Sequence, residues 1–239
     1  MIDGTIFALD FFAAGVPPGA IFQMDIDSLK EISGSERLSL NANKIYEICL
    51  IALVAYFESF CKNEFSSLIN ICPNILENFC KHRRDVTINI EDYLSLGISL
   101  RFKLGFVLSE KYDFGSAKKI NSLYNDLISI SPFSKKEIIS YDHLLNDRNL
   151  LVHHGGIVTM KYKKQNKREE LSSKSTFFDS LVISKNDFQR WMEFLEEIVI
   201  KIVNECHNAL SNYISENKIL LTSAEKEALE YLGTYDFFD

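Results

Sequence analysis

Glycine and proline are scarce in this chain. Its 239 residues hold 10 Gly and 4 Pro, together roughly 6% against about 12% in average usage. That argues against loop-rich, collagen-like and many-turned all-β classes and leaves helices as the expectation. No C-x-x-C pair occurs among Cys49, Cys61, Cys72, Cys80 and Cys206, so no zinc framework is suggested. Their number is odd and most lie in apolar runs, which reads as reduced core thiols. Positive charge is also short: 26 Lys and Arg against 33 Asp and Glu leave a net charge of −7. A protein that coats nucleic acid by bulk positive charge is therefore not expected, while a local basic patch is compatible with this balance. The longest uncharged apolar run, Ile48 to Phe57, is far below the roughly 18–20 residues of a spanning helix. The start, Met1-Ile2-Asp3-Gly4, has an acid where a signal peptide wants Lys or Arg, and Asp10 splits the stretch from Ile6 to Val16. The expectation is a soluble, cytoplasmic protein with no membrane partner.

Hydrophobic periodicity supplies the elements. Residues 1–40 net −4, with a turn signal at Val16-Pro17-Pro18-Gly19, a short helix near 25–32 and a stop at Ser33-Gly34-Ser35. This region reads as an arm or small subdomain. From Asn41 to about Ile71 the spacing of Ile45, Cys49, Ala52, Leu53, Tyr56 and Phe60 predicts one long helix. Leu50, Ile51 and Val54 make its middle apolar nearly all round, so it must be covered on two sides, within the domain or between subunits. Further helices are expected over 90–110 and over 116–130, the latter stopped by Pro132. Ser134 and Glu137 form a capping box for the next, which ends at Gly155-Gly156.

After Gly156 the period changes. Ile157 to Tyr162 and Thr176 to Ile183 read as two strands around the polar loop 163–174, a long-looped β-hairpin over about 156–183. Ser184 and Asp187 cap the last long helix, and Thr222 and Glu225 open a short terminal one. The expected fold is all-α, a helical bundle with this hairpin inserted before the last long helix. Its main domain covers 41–215, and a short helix and tail cover 216–239.

One segment carries chemistry: Asp147-Arg148-Asn149-Leu150-Leu151-Val152-His153-His154-Gly155-Gly156. RNA can be cleaved without an external nucleophile, because its 2′-OH can attack the neighbouring phosphate. The attack needs a base for that hydroxyl, an acid for the 5′-oxygen and positive charge on the phosphorane. An imidazole, with an ordinary pKa of about 6.5, can be base or acid near neutrality. A guanidinium stays charged and grips two phosphate oxygens. An Arg–His spacing of this kind arises by chance about 0.4 times in such a chain, so context carries the weight. Positions 138, 141, 145, 148 and 152 share one helical face, which puts Arg148 in a slot where the pattern expects an apolar residue. An Arg there needs a partner or a task.

The run R-N-L-L-V-H followed by H-G-G-I-V resembles the R-x(4–6)-H motif of the HEPN superfamily of helical ribonucleases, in which a polar residue, often Asn, follows the Arg. The long helix with Leu53-Val54-Ala55-Tyr56-Phe57-Glu58 is similar to the opening core helix of bacterial HEPN domains of the RiboL-PSP type. The resemblance covers residues 42–215. It implies a homodimer with the two motifs facing each other, and metal-independent endoribonuclease activity without a cofactor, commonly in toxins and antiviral defence. A neutralising antitoxin or regulatory partner belongs to the same implication. By position Arg148 stabilises the phosphorane, His153 is the acid/base and Asn149 supports them.

Bland readings stand beside these. Arg148 can be an interface residue paired with Asp147 or Glu58, and His153 can cap a helix C-terminus. Glu58, a carboxylate on an apolar helix, needs a counter-charge and can be the partner of Arg148. His154 points about 100° away from His153 and is expected toward solvent or the helix end. The adjacent pair is not a metal site, because neighbouring residues point apart. Lys161, Lys163, Lys164, Lys167 and Arg168 are either a solvated loop or an RNA-backbone contact, and so are Lys81, Arg83 and Arg84. The alternative function is a non-catalytic HEPN-like dimer that binds RNA or protein.

Overall fold

Helix dominates the computed structural model, which describes residues 6–34, 42–83, 86–97, 100–165 and 180–235. Ten α-helices occur among them: α1 (Pro18–Gly34), α2 (Ala42–Ile71), α3 (Leu76–His82), α4 (Ile90–Leu96), α5 (Leu100–Ser109), α6 (Ala117–Ile128), α7 (Lys135–His154), α8 (Met160–Gln165), α9 (Lys185–Glu216) and α10 (Ser223–Leu232). The described residues are all-α, without a strand. No described helix is long and apolar enough to cross a membrane.

The middle of the bundle is α2. Its 30 residues rise about 45 Å, and α1, α5, α7, α9 and α10 all pack on it. That explains its apolar girth: Leu50, Leu53, Val54, Phe57, Phe65, Leu68 and Ile69 are fully buried on different sides of one helix. Close approach of α5 depends on Gly105, where an added Cβ would lie 2.0 Å from the Ser66 carbonyl oxygen. Asn70 ties this crossing together. It accepts from the Gly105 N–H at 2.7 Å and donates to the Phe11 carbonyl at 3.0 Å. Phe11, Phe12, Phe22, Ile26 and Leu29 from the N-terminal region share one core with α2 and α9.

Local signals set most helix ends. Ser134, Ser184 and Thr222 each form a capping box with Glu137, Asp187 and Glu225. Gly155 takes φ +58°, and the Gly155 and Gly156 N–H groups donate back to Leu151 and Leu150, closing α7. Other ends depart from expectation. The first helix starts at Pro18 rather than near 25, because proline at a first helical position loses no needed donor. The helix expected over 90–110 is broken after Leu96, where Gly97 takes φ +51°.

The β-hairpin is the main correction. Met160–Gln165 is helix, not strand. The Thr159 hydroxyl accepts from the Tyr162 N–H at 3.2 Å and starts that turn. Only one antiparallel bridge, Ile157 with Ser180, joins the two segments among the described residues. Thr176–Asp179 lie outside them.

Candidate functional site

Helix α7 carries every residue of the R-N-x-x-x-H segment, and three contacts hold it. Asn121 bonds both the N–H and the C=O of Phe133 ahead of the helix, at 2.8 and 2.7 Å. Lys201 of α9 pairs with Glu137 at 3.0 Å. The third contact fixes Arg148, whose Nη2 donates to Glu58 Oε1 of α2 at 2.5 Å. Their side chains are 23% and 29% exposed, so the pair is half-buried. Burial raises the Glu58 carboxyl above its usual range, opposed by the charge and hydrogen bond of Arg148. Tyr141, fully buried against Phe57 and Phe133, lies beside this pair.

Asn149 and His153 sit elsewhere on α7. At about 100° per residue they lie roughly 40° apart on the helix, and Arg148 lies 100–140° from them. They open onto a polar pocket of about 330 Å³ that Asn146, His154, Lys161 and Tyr162 also line, and Arg148 does not. A neighbouring hollow of about 500 Å³ shares Asn146, Asn149 and Gln165 with it and adds Asp142 and His143. The two form one groove along α7. His153 is exposed, and no described side chain hydrogen-bonds its imidazole. His154 is also exposed and borders the same pocket, rather than pointing only to solvent.

The far wall is α8. Tyr162 is buried, and its hydroxyl donates to the buried Asp147 carboxylate at 2.6 Å, which fastens α8 to α7. This brings Lys161 to the pocket, with Lys163 and Lys164 exposed on the same short helix. Lys167 and Arg168 lie outside the described residues. No group of three His, Cys, Asp or Glu side chains placed to hold a metal ion is found among the described residues.

Sequence reading missed Asn146, His143, Asp142 and Tyr162. Asp142 and Asn146 had a signal: with Asn149 and His153, at i, i+4, i+7 and i+11, they form a polar stripe on α7 about 90° around the helix from its apolar face, and His143 falls outside that stripe. Tyr162 had none, since its partner depends on how α8 folds back. No protein-family model, no curated protein and no solved structure matches this chain.

Proposed function

We propose that this protein is a metal-independent endoribonuclease of the HEPN type, acting as a homodimeric toxin or antiviral-defence effector. The observation that carries the reading is an exposed imidazole, His153, beside Asn149 and Lys161 in an open polar pocket, one and a half turns from Arg148 on the same helix. His153 takes the 2′-OH proton while that oxygen bonds to phosphorus. The P–O5′ bond breaks, and an imidazolium returns a proton to O5′. The products are a 2′,3′-cyclic phosphate and a 5′-OH. Arg148 supplies charge to the phosphorane. Two copies pack with their motifs facing, so that a shared cleft gathers the groups that α7 of one copy spreads around its circumference. Exposed Val152, Ile157, Met160 and Val182 around the end of α7 give such packing apolar surface to cover.

Purified protein is expected to cleave RNA in EDTA, to leave DNA intact and to scatter light as twice the chain mass. Activity lost in EDTA and restored by magnesium would sink the mechanism, and a monomer at micromolar concentration would sink the shared cleft.

The Arg148–Glu58 pair favours a second reading, a non-catalytic HEPN-like module that binds RNA or a partner protein. In it Arg148 is a strut between α7 and α2. Expression in growing cells separates the two. Toxicity of the wild type that Arg148→Ala abolishes, at equal protein level, supports the enzyme; no toxicity from either and no cleavage supports the module.

A further inference from the structure

A second set of cations lies away from the α7 groove, where α3, the α5–α6 turn and α6 meet. Arg83, at the end of α3, is held rigidly. Its Nε donates to Asp126 Oδ2 at 2.8 Å, its Nη2 donates to Ser122 Oγ at 3.0 Å, and its guanidinium lies 5.5 Å from the ring centres of both Phe79 and Tyr112. With five N–H groups and two in use, three have no hydrogen-bond partner among the described residues. Lys111 and Lys119 line the same hollow of about 250 Å³. Lys111 donates to the Thr87 carbonyl and pairs with no carboxylate among the described residues. Lys119 pairs with Asp113, whose other oxygen accepts the Gly115 N–H at 2.7 Å. These two contacts hold the Asp113 carboxyl below its usual range. Asp113 is thus an internal anion already seated among the cations.

The hollow does not stop there. It shares Tyr112 and Asp113 with another of about 320 Å³, lined also by Ser59, Lys62 and Glu58. The path therefore runs from Arg83 past Lys111 and Lys119 to Lys62, and ends at the Glu58 that holds Arg148. In a chain of net charge −7, the two adjoining hollows gather Arg83, Lys111, Lys119 and Lys62 against three carboxylates, Asp126 behind Arg83 and Asp113 and Glu58 in the lining, which leaves a local excess of positive charge. A polyanion with regularly spaced charges matches that excess.

We propose that this groove binds the phosphodiester backbone of a single RNA strand, with Arg83 and Lys111 on phosphates at one end and Lys62 at the end nearest Arg148. Asp113 is the competitor that the strand displaces from Lys119. The choice of RNA rests on the ribonuclease reading; the anion site itself rests on the groove.

The test measures binding apart from cleavage. A fluorescent 2′-O-methyl RNA 12-mer, which lacks the attacking hydroxyl, is titrated by anisotropy across a salt series. Lys111→Gln with Lys119→Gln should weaken binding at least tenfold at 100 mM salt. Two lost phosphate contacts should make the log K against log salt slope shallower by about 1.4. Lys135→Gln with Lys136→Gln, the same charge change on exposed side chains at the start of α7, should leave affinity within about threefold. Asp113→Asn should tighten binding several-fold. Both lysines are exposed, and a circular dichroism spectrum checks the fold. Unchanged affinity and slope in the groove variant, an equal loss in the control pair, or no wild-type binding each overturns the proposal. If the wild type binds through the groove but cleaves no unmodified RNA, the ribonuclease reading fails and the groove stands.

Discussion

Arg148 and Glu58, 90 residues apart in sequence, meet at 2.5 Å across the α2–α7 packing. The pair is neither fully wet nor fully buried, so its worth falls between a surface ion pair and a core one, about 1–2 kcal/mol. Arg148→Ala leaves a half-buried carboxylate without its counter-charge. The double variant with Glu58→Ala should therefore be less destabilised than the sum of the singles by about 1 kcal/mol in urea melts. Fully additive losses would mean the contact contributes nothing to stability.

His153→Ala should lower RNA cleavage by about 10²–10⁴-fold with the fold intact, the usual cost of removing an acid/base group. His154→Ala should lose less than about tenfold, although both residues border the pocket. Single-turnover rates decide it. Reversed losses would move the acid/base role to His154, and no loss in either would leave the binding-module reading.

Tyr162→Phe deletes the hydroxyl that donates to buried Asp147. A hydrogen bond to a charged acceptor is worth about 1.5–3 kcal/mol, so stability should fall by roughly that amount. Hydrogen exchange should rise first in α8. A urea midpoint equal to the wild type would show that α8 is not fastened this way.

Glu64 is fully buried in α2, where the Cys206 thiol is placed to donate to its carboxyl group and no cation pairs with it among the described residues. Burial pushes its carboxyl well above the ordinary value of 4.5. Above pH 4.5 the unfolded chain gives up this proton while the native chain keeps it. Its contribution to stability is therefore fully present below 4.5 and is lost as pH climbs toward the native value, by up to about 1.4 kcal/mol per pH unit. Glu64→Gln should match the wild type at pH 4 and exceed it at pH 8 by more than about 1 kcal/mol. Parallel stability curves from pH 4 to 9 would contradict this.

Much of the helical plan is legible residue by residue because its signals are local. A Ser or Thr three residues before an acid bonds its own helix start, and Gly155 adopts a backbone that other residues avoid, whatever else the chain does. The segment 157–162 shows the limit. Ile157, Val158 and Thr159 favour a strand by their branched side chains. The Thr159 cap and the buried Tyr162–Asp147 bond supply helix-specific contacts instead.

Periodicity, charge and spacing by themselves determined that the chain is helical, that α2 must be covered on more than one side, and that Arg148 occupies an apolar slot. Only the tertiary structure decided what meets those residues. Glu58 reaches Arg148 because α7 crosses α2, while the 100–140° turn along α7 carries His153 and Asn149 to a different face. Arg83, Lys111 and Lys119 share a hollow because α3 packs on α6. Helix caps act over three or four residues and can be read in order. Contacts between groups tens of residues apart depend on the packing of whole helices, for which sequence spacing holds no distance.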